Sequence, residues 1–272
     1  MGTENLPYDT QENPPIQRLE CMCLILFAID QHPDMPLVVA ANRDEFYDRP
    51  TAPMHWWNQP VVLAGRDRRS GGTWLTVTPE GVVTAVTNFR DGLAEDARYS
   101  RGELPLLAAQ QTPDTLAGAL GSSRDQYAGY NLIRLNTHRG WYFSNRDAHP
   151  GRLIPRGIHG LSNHLLQTPW PKLVRTRQRF ADCLRGPANS LHDALTDIML
   201  DDQPAPDASL PDTGVGQATE RFLSSPFIRS DTYGTRATTV VCVRRDGTIS
   251  VSEQQWQRGG VRGDQARFEW CV

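Results

Sequence analysis

An α+β domain built from antiparallel hairpins is the fold class the sequence predicts. Three observations carry that prediction. Short apolar runs come in pairs separated by turn residues, which is how hairpins read. Helical spacing is gathered into blocks between those pairs, whereas a doubly wound parallel sheet would alternate strand and helix. No glycine-rich phosphate loop of either common type follows a strand.

The elements follow in order. Residues 1–22 are polar, carry Pro14-Pro15 and lack an apolar stretch able to act as a signal core. They are expected to be a disordered or removable extension, with 23–272 as a single domain. Residues 23–29 and 36–41 form a hairpin around Asp30–Asp34, and 73–78 pairs with 82–87 across Pro79-Glu80-Gly81. Helical stretches follow at 101–111 and 113–120, the second with Thr112 as N-cap ahead of Pro113. Residues 130–135 and 140–144 pair around 136–139, and 157–162 reads as a short strand. Helices then cover 169–184, with Leu173, Val174, Arg177, Phe180 and Leu184 in register, and 190–200, capped by Ser190. The Asp- and Pro-rich run 201–214 is a loop. Residues 237–243 and 248–252 pair around Arg245-Asp246-Gly247, and a last strand covers 266–271.

Composition narrows the function classes. The chain has 272 residues, 39% of them hydrophobic, enough for a substantial core. A net charge of −3 without a basic stripe argues against nucleic acid as a partner. The longest apolar run, Leu24 to Ile29, falls far short of the ~20 residues a transmembrane segment needs. Cysteines at 21, 23, 183, 242 and 271 are scattered and lack CxxC spacing. That pattern fits reduced thiols in a cytoplasmic protein better than a disulfide frame or a zinc site. No cofactor is expected.

Four features carry chemistry. Cys23 begins a core strand directly after Met22. If Met22 and all before it are removed, Cys23 holds both a thiol and a free α-amine. Such an amine titrates near ~7.7–8.0 and can take the thiol proton itself. The alternative reading is a small buried hydrophobe. The tetrad Asn42-Arg43-Asp44-Glu45 directly follows the second strand, and hairpin pairing returns it beside Cys23. A guanidinium there would favour thiolate, and a carboxylate could orient the amine; the alternative is a solvated charged turn. Asn88, Asn131 and Asn163 lie at strand ends, where an amide can donate to an oxyanion or merely shape a turn. Arg236 precedes a core strand, as a carboxylate-holding group or a surface arginine.

The opening from Met22 through "VVAANRDEFYDRP" resembles the NRDE-motif family, also called the transport and Golgi organization family. Further segments are similar to that family: Gly71-Gly72-Thr73-Trp74-Leu75, Thr87-Asn88, Arg101-Gly102-Glu103-Leu104, Tyr130-Asn131-Leu132, Gly160-Leu161-Ser162-Asn163, Thr168-Pro169-Trp170 and Tyr233-Gly234-Thr235-Arg236. The resemblance implies an N-terminal-nucleophile (Ntn) hydrolase-like fold, a four-layer αββα sandwich of two antiparallel sheets between helices. A weaker resemblance points to cysteine acylases acting on penicillin V and conjugated bile salts. It implies catalytic roles for Cys23, Arg43, Asp44, Asn88, Asn163 and Arg236, with Asn42, Glu45, Trp74 and Asn131 as substrate contacts. One spacing departs from the acylase pattern: Arg43 and Asp44 are adjacent, whereas the acylases separate these residues by two. The implied function is hydrolysis of a C–N amide bond in a small acylated substrate. The alternative implied by the family is a non-catalytic module that carries haem, acyl-CoA or a lipid.

Overall fold

The computed structural model describes residues 22–92 and 97–272. The expected extension lies, apart from Met22, outside the described residues. Thirteen strands are present among them: β1 (Met22–Ile29), β2 (Leu37–Phe46), β3 (Thr51–Asn58), β4 (Val61–Asp67), β5 (Leu75–Val77), β6 (Val83–Asn88), β7 (Tyr130–Leu135), β8 (Gly140–Ser144), β9 (Arg152–Ile154), β10 (Gly157–Leu161), β11 (Tyr233–Val243), β12 (Thr248–Gln257) and β13 (Val261–Cys271). Five α-helices accompany them: α1 (Leu104–Gln110), α2 (Pro113–Ser122), α3 (Pro171–Cys183), α4 (Leu191–Ile198) and α5 (Gln217–Phe222).

The strands form two sheets in which every pairing is antiparallel. The first runs β10-β1-β2-β11-β12-β13, and the second runs β3 to β9 in chain order. Side chains alternate between sheet faces along a strand, so each central strand feeds two cores. Ile25, Phe27, Ile29, Val39 and Ala41 meet Leu63, Leu75, Ala85, Ile133 and Tyr142 between the sheets. Leu24, Leu26, Ala28, Val38 and Ala40 turn the other way, against Leu173 and Phe180 of α3 and Leu191 and Leu195 of α4. On the far side, Leu104 and Ala108 of α1 and Leu116 and Leu120 of α2 cover Val86, Tyr130, Leu132 and Phe143. The layers are therefore α, β, β, α, as the resemblance implied.

Local chemistry explains the helix ends. Pro113 and Pro171 sit at first-turn positions, where a missing N–H costs nothing. The Thr112 hydroxyl accepts from the Thr115 amide at 3.4 Å. Ser190 precedes α4 but makes no side-chain cap; its hydroxyl donates to the Pro187 carbonyl instead.

The structure corrects the sequence reading in four places. Strands β3, β4 and β9 were not expected: β3 leaves half its residues open to solvent and is interrupted by Pro53, β4 has four apolar residues before Gly65-Arg66-Asp67, and β9 is three residues long. Helix α5 was likewise unexpected; at six residues it is too short to show a period. The tetrad lies inside β2, which continues to Phe46, so it is neither a strand end nor a turn. Arg236 is part of β11, next to a register shift between Thr235 and Ala237.

Candidate active site

The site forms where β1, β2 and β11 of the first sheet face β4, β6 and the segment around Gly102. A cavity of about 370 Å³ opens there, lined by Cys23, Arg43, Glu45, Trp74, Asn88 and Arg236 among others. Cys23 is 1% exposed and reaches solvent only through this cavity.

Strand alternation decides which members of the tetrad reach it. Cys23 pairs directly with Arg43 across β1 and β2, so both side chains leave the sheet on one face. Arg43 and Glu45 share that face and form an ion pair at 3.3 Å. Asn42 and Asp44 point to the opposite face, toward α3. The Asn42 amide donates to the carbonyls of Met199 and Pro226 at 2.8 and 2.9 Å and accepts from the Thr238 hydroxyl at 2.6 Å. It ties the sheet to the helical layer and does not line the cavity, contrary to the substrate contact expected.

Asp44 is fully buried and stands opposite Met22 in the pairing. Its Oδ1 accepts from the Thr235 hydroxyl at 2.6 Å, and its Oδ2 has no hydrogen-bond partner. Burial pushes its carboxyl up to about 6, against the pull of the Lys172 ammonium. Lys172 itself is buried and donates to the Leu223 carbonyl at 3.0 Å. Desolvation lowers it to about 8, while Asp44 is the chief group raising it. Nothing in the sequence pattern marked Lys172, since it occupies the first turn of an ordinary amphipathic helix.

The asparagines divide by task. The Cys23 amide nitrogen donates to Asn163 Oδ1 at 3.4 Å, and the Ser162 hydroxyl donates to the Cys23 carbonyl at 3.0 Å. Asn163 Nδ2 donates to the Asn88 carbonyl at 3.2 Å. The chain thus links Cys23 to Asn163 and Asn163 to Asn88. Asn88 lines the cavity, and its Nδ2 is buried without a partner. A buried donor left unmatched is rare in a native fold and asks for an explanation. Asn131 is spent elsewhere: it donates to the Thr87 hydroxyl and the His164 carbonyl, each at 3.1 Å, and accepts from the Tyr142 hydroxyl. It does not reach the cavity, so the expected substrate contact falls to other residues.

Arg236 lines the wall, donating to the carbonyls of Phe46 and Arg49 at 2.8 and 3.0 Å and to the Thr51 hydroxyl at 3.1 Å. Trp74 is held by the meeting of two glycine motifs. A Cβ on Gly72 would lie 2.4 Å from the Gly102 carbonyl, so only glycine permits this approach. Sequence reading missed Arg49, Arg66, Arg69, Arg101 and Glu253 in the lining. Arg66 lies on β4, Glu253 on β12 and the others in turns, and "VVLAGRD" has no period-2 alternation to mark them. No histidine is among the lining residues described. Among the described residues there is no cluster of three or more metal-ligating side chains, and no helix is long and apolar enough to cross a membrane.

Sequence comparison finds relatives along most of the chain. The Transport and Golgi organization 2 homolog of Mus musculus is 31% identical over 255 residues, covering 86% of this chain and 92% of its own length. The Homo sapiens protein of that name is 33% identical over the same coverage, and the Bos taurus protein 33% over 91% and 96%. Among solved structures, a Caenorhabditis elegans N-acylethanolamine-hydrolyzing acid amidase ortholog covers 80% of this chain and 92% of its own at 13% identity, with a TM-score of 0.39. That superposition is too loose to carry an argument about chemistry. The family profile of Transport and Golgi organisation 2 matches residues 22–258, and the chain belongs to that family.

Proposed function

We propose that the protein is a cysteine amidohydrolase of the N-terminal-nucleophile type, acting on a C–N amide bond of a small acylated substrate. The observation that carries this reading is the buried, unpartnered Nδ2 of Asn88, a residue that lines the same cavity as Cys23. A donor with nothing to donate to, beside a nucleophile, is what a developing oxyanion needs.

Removal of everything before Cys23 would turn its backbone nitrogen into an α-amine. Asn163 Oδ1 already accepts from that nitrogen. Asp44, opposite the departing Met22, has a free carboxylate oxygen to meet the new charge. In the reaction the Cys23 sulfur attacks the amide carbon and the α-amine takes the thiol proton. The C–N bond then breaks, the α-ammonium returns that proton to the leaving amine, and a thioester remains on Cys23. Water, deprotonated by the same amine, releases the acid and restores the thiol. Asn88 Nδ2 donates to the oxyanion in both halves, and Arg43 supplies positive charge across the strand pair. Cytoplasmic location remains the expectation from the reduced thiols.

The test joins mass and turnover. Purified protein should begin at Cys23, release amine from a panel of N-acyl amides, and accumulate an acyl adduct on Cys23. Cys23→Ala should reduce amine release to background. A mature chain that retains Met22, or turnover unaffected by Cys23→Ala, overturns the proposal.

A further inference from the structure

The cavity is far more basic than the chain. Six arginines line it, Arg43, Arg49, Arg66, Arg69, Arg101 and Arg236, against the carboxylates of Glu45, Asp67 and Glu253. The whole chain carries −3. Two of the carboxylates are already engaged: Glu45 with Arg43 at 3.3 Å, and Asp67 with Arg49 at 2.6 Å. The third, Glu253, is buried, and burial pushes its carboxyl up, so it offsets less charge than a solvated one would.

Of the other four arginines, Arg101 donates to the Gly129 carbonyl at 2.9 Å, and Arg66, Arg69 and Arg236 stand at the wall or rim without a carboxylate partner among the described residues. Arg236 donates to two carbonyls and one hydroxyl and forms no ion pair among the described residues. Arg66 donates to the Gly71 carbonyl at 3.2 Å and lies 4.5 Å over the Trp57 ring on the helix-facing side of the second sheet, so its guanidinium stands at the rim of the cavity. Arg69 stands exposed in the turn after β4, and it too forms no ion pair among the described residues. Guanidinium groups held in this way match carboxylate and phosphate oxygens in pairs. The apolar lining is sparse, with Phe46, Ala52, Trp74, Val86 and Ala237, which is little surface for a long hydrocarbon chain. A volume of about 370 Å³ suits a small polar molecule.

We infer that the substrate is a small polyanion: an amide bearing at least two negative charges, as phosphate or carboxylate, held by Arg236 and Arg69 with Arg66 at the rim. This rests on the amidohydrolase reading for the amide and on the arginines alone for the charge.

Binding separates the two. Calorimetric titration of the Cys23→Ser protein with pyrophosphate, tricarballylate and acetate needs no turnover. At least one of the two polyanions should bind tenfold or more tighter than acetate, and which one binds names the oxyanion. Affinity should fall about tenfold or more between 20 and 200 mM salt. The double variant R66Q/R69Q, altered only at exposed positions, should weaken binding at least tenfold with an unchanged melting temperature. R236Q should weaken binding likewise, with some loss of melting temperature because its bonds to the Phe46 and Arg49 carbonyls and the Thr51 hydroxyl go too. Equal affinity for acetate and both polyanions, or binding indifferent to the arginine changes, overturns the inference. Polyanion binding in a protein that hydrolyses no amide leaves this inference standing and sinks the hydrolase reading. Turnover that favours uncharged amides does the reverse.

Discussion

The amide nitrogen of Asn88 and that of Asn131 look alike in the sequence, each at the edge of a core strand, yet the fold gives them opposite work. Asn131 makes three hydrogen bonds in a buried pocket. Asn88 Nδ2 makes none. Asn88→Ala is therefore expected to lower kcat by ~10²–10³ with little change in KM or melting temperature. Asn131→Ala should do the reverse, costing ~2–3 kcal/mol of stability because its partners are left buried and unmatched. Steady-state kinetics and thermal melts on both variants check the pair, and equal behaviour would refute the division of labour. Arg43 could be set beside Cys23 from sequence because hairpin pairing brings them together, whereas Asn163 joined them only through the family resemblance. Arg236 was singled out too, but Arg66 and Arg69 could not be. Arg66, Arg69 and Arg236 converge from two different sheets, and that convergence has no one-dimensional trace.

Strand β2 shows how a four-letter motif can serve two layers at once. Its alternation sends Arg43 and Glu45 to the cavity, and Asn42 and Asp44 to the helices. The adjacency of Arg43 and Asp44, a departure in spacing when set against the acylases, is thus a division between faces. Asn42→Ala should cost ~3 kcal/mol, since it strands two carbonyls and a hydroxyl in the interior. It should leave polyanion binding to the folded protein within about twofold. Denaturant midpoints with calorimetry decide this; a large loss of affinity without loss of stability would place Asn42 at the site after all. The tetrad was read as following its strand because its charges look solvated. They are buried because each has a partner within the fold, which a run of letters cannot reveal. Strand β3 escaped notice for the converse reason: half of its residues are wet, so it is not apolar enough to stand out.

Across the molecule, the outer helical layer is tied to the first sheet by more than apolar packing. His192 on α4 bonds the hydroxyls of Ser252 and Ser250 on β12 at 2.8 and 2.9 Å. Burial holds its imidazole at about 4, with Arg267 adding to the shift. An unfolded histidine takes its proton near ~6.5, and the folded one resists until about 4. The neutral ring's contribution is therefore fully present above pH 6.5 and is lost as pH falls toward 4, by about 3 kcal/mol in all. His192→Gln should flatten the fall in stability between pH 6.5 and 4, measured by urea unfolding at each pH. Parallel curves for the two proteins would show that the ring does not carry this dependence. The layered architecture was legible from hairpin pairs and helical blocks, because local periods report which faces are apolar. The order of the first sheet was not, because β11 slots in beside β2 from the far end of the chain. On the ribosome that order imposes a wait. At ~5–20 residues per second, the β1–β2 hairpin emerges roughly 10–40 s before β11, its partner about 200 residues later. Throughout that interval two greasy faces and an open backbone edge hang in the cell, a nascent chain that calls for a chaperone's grip.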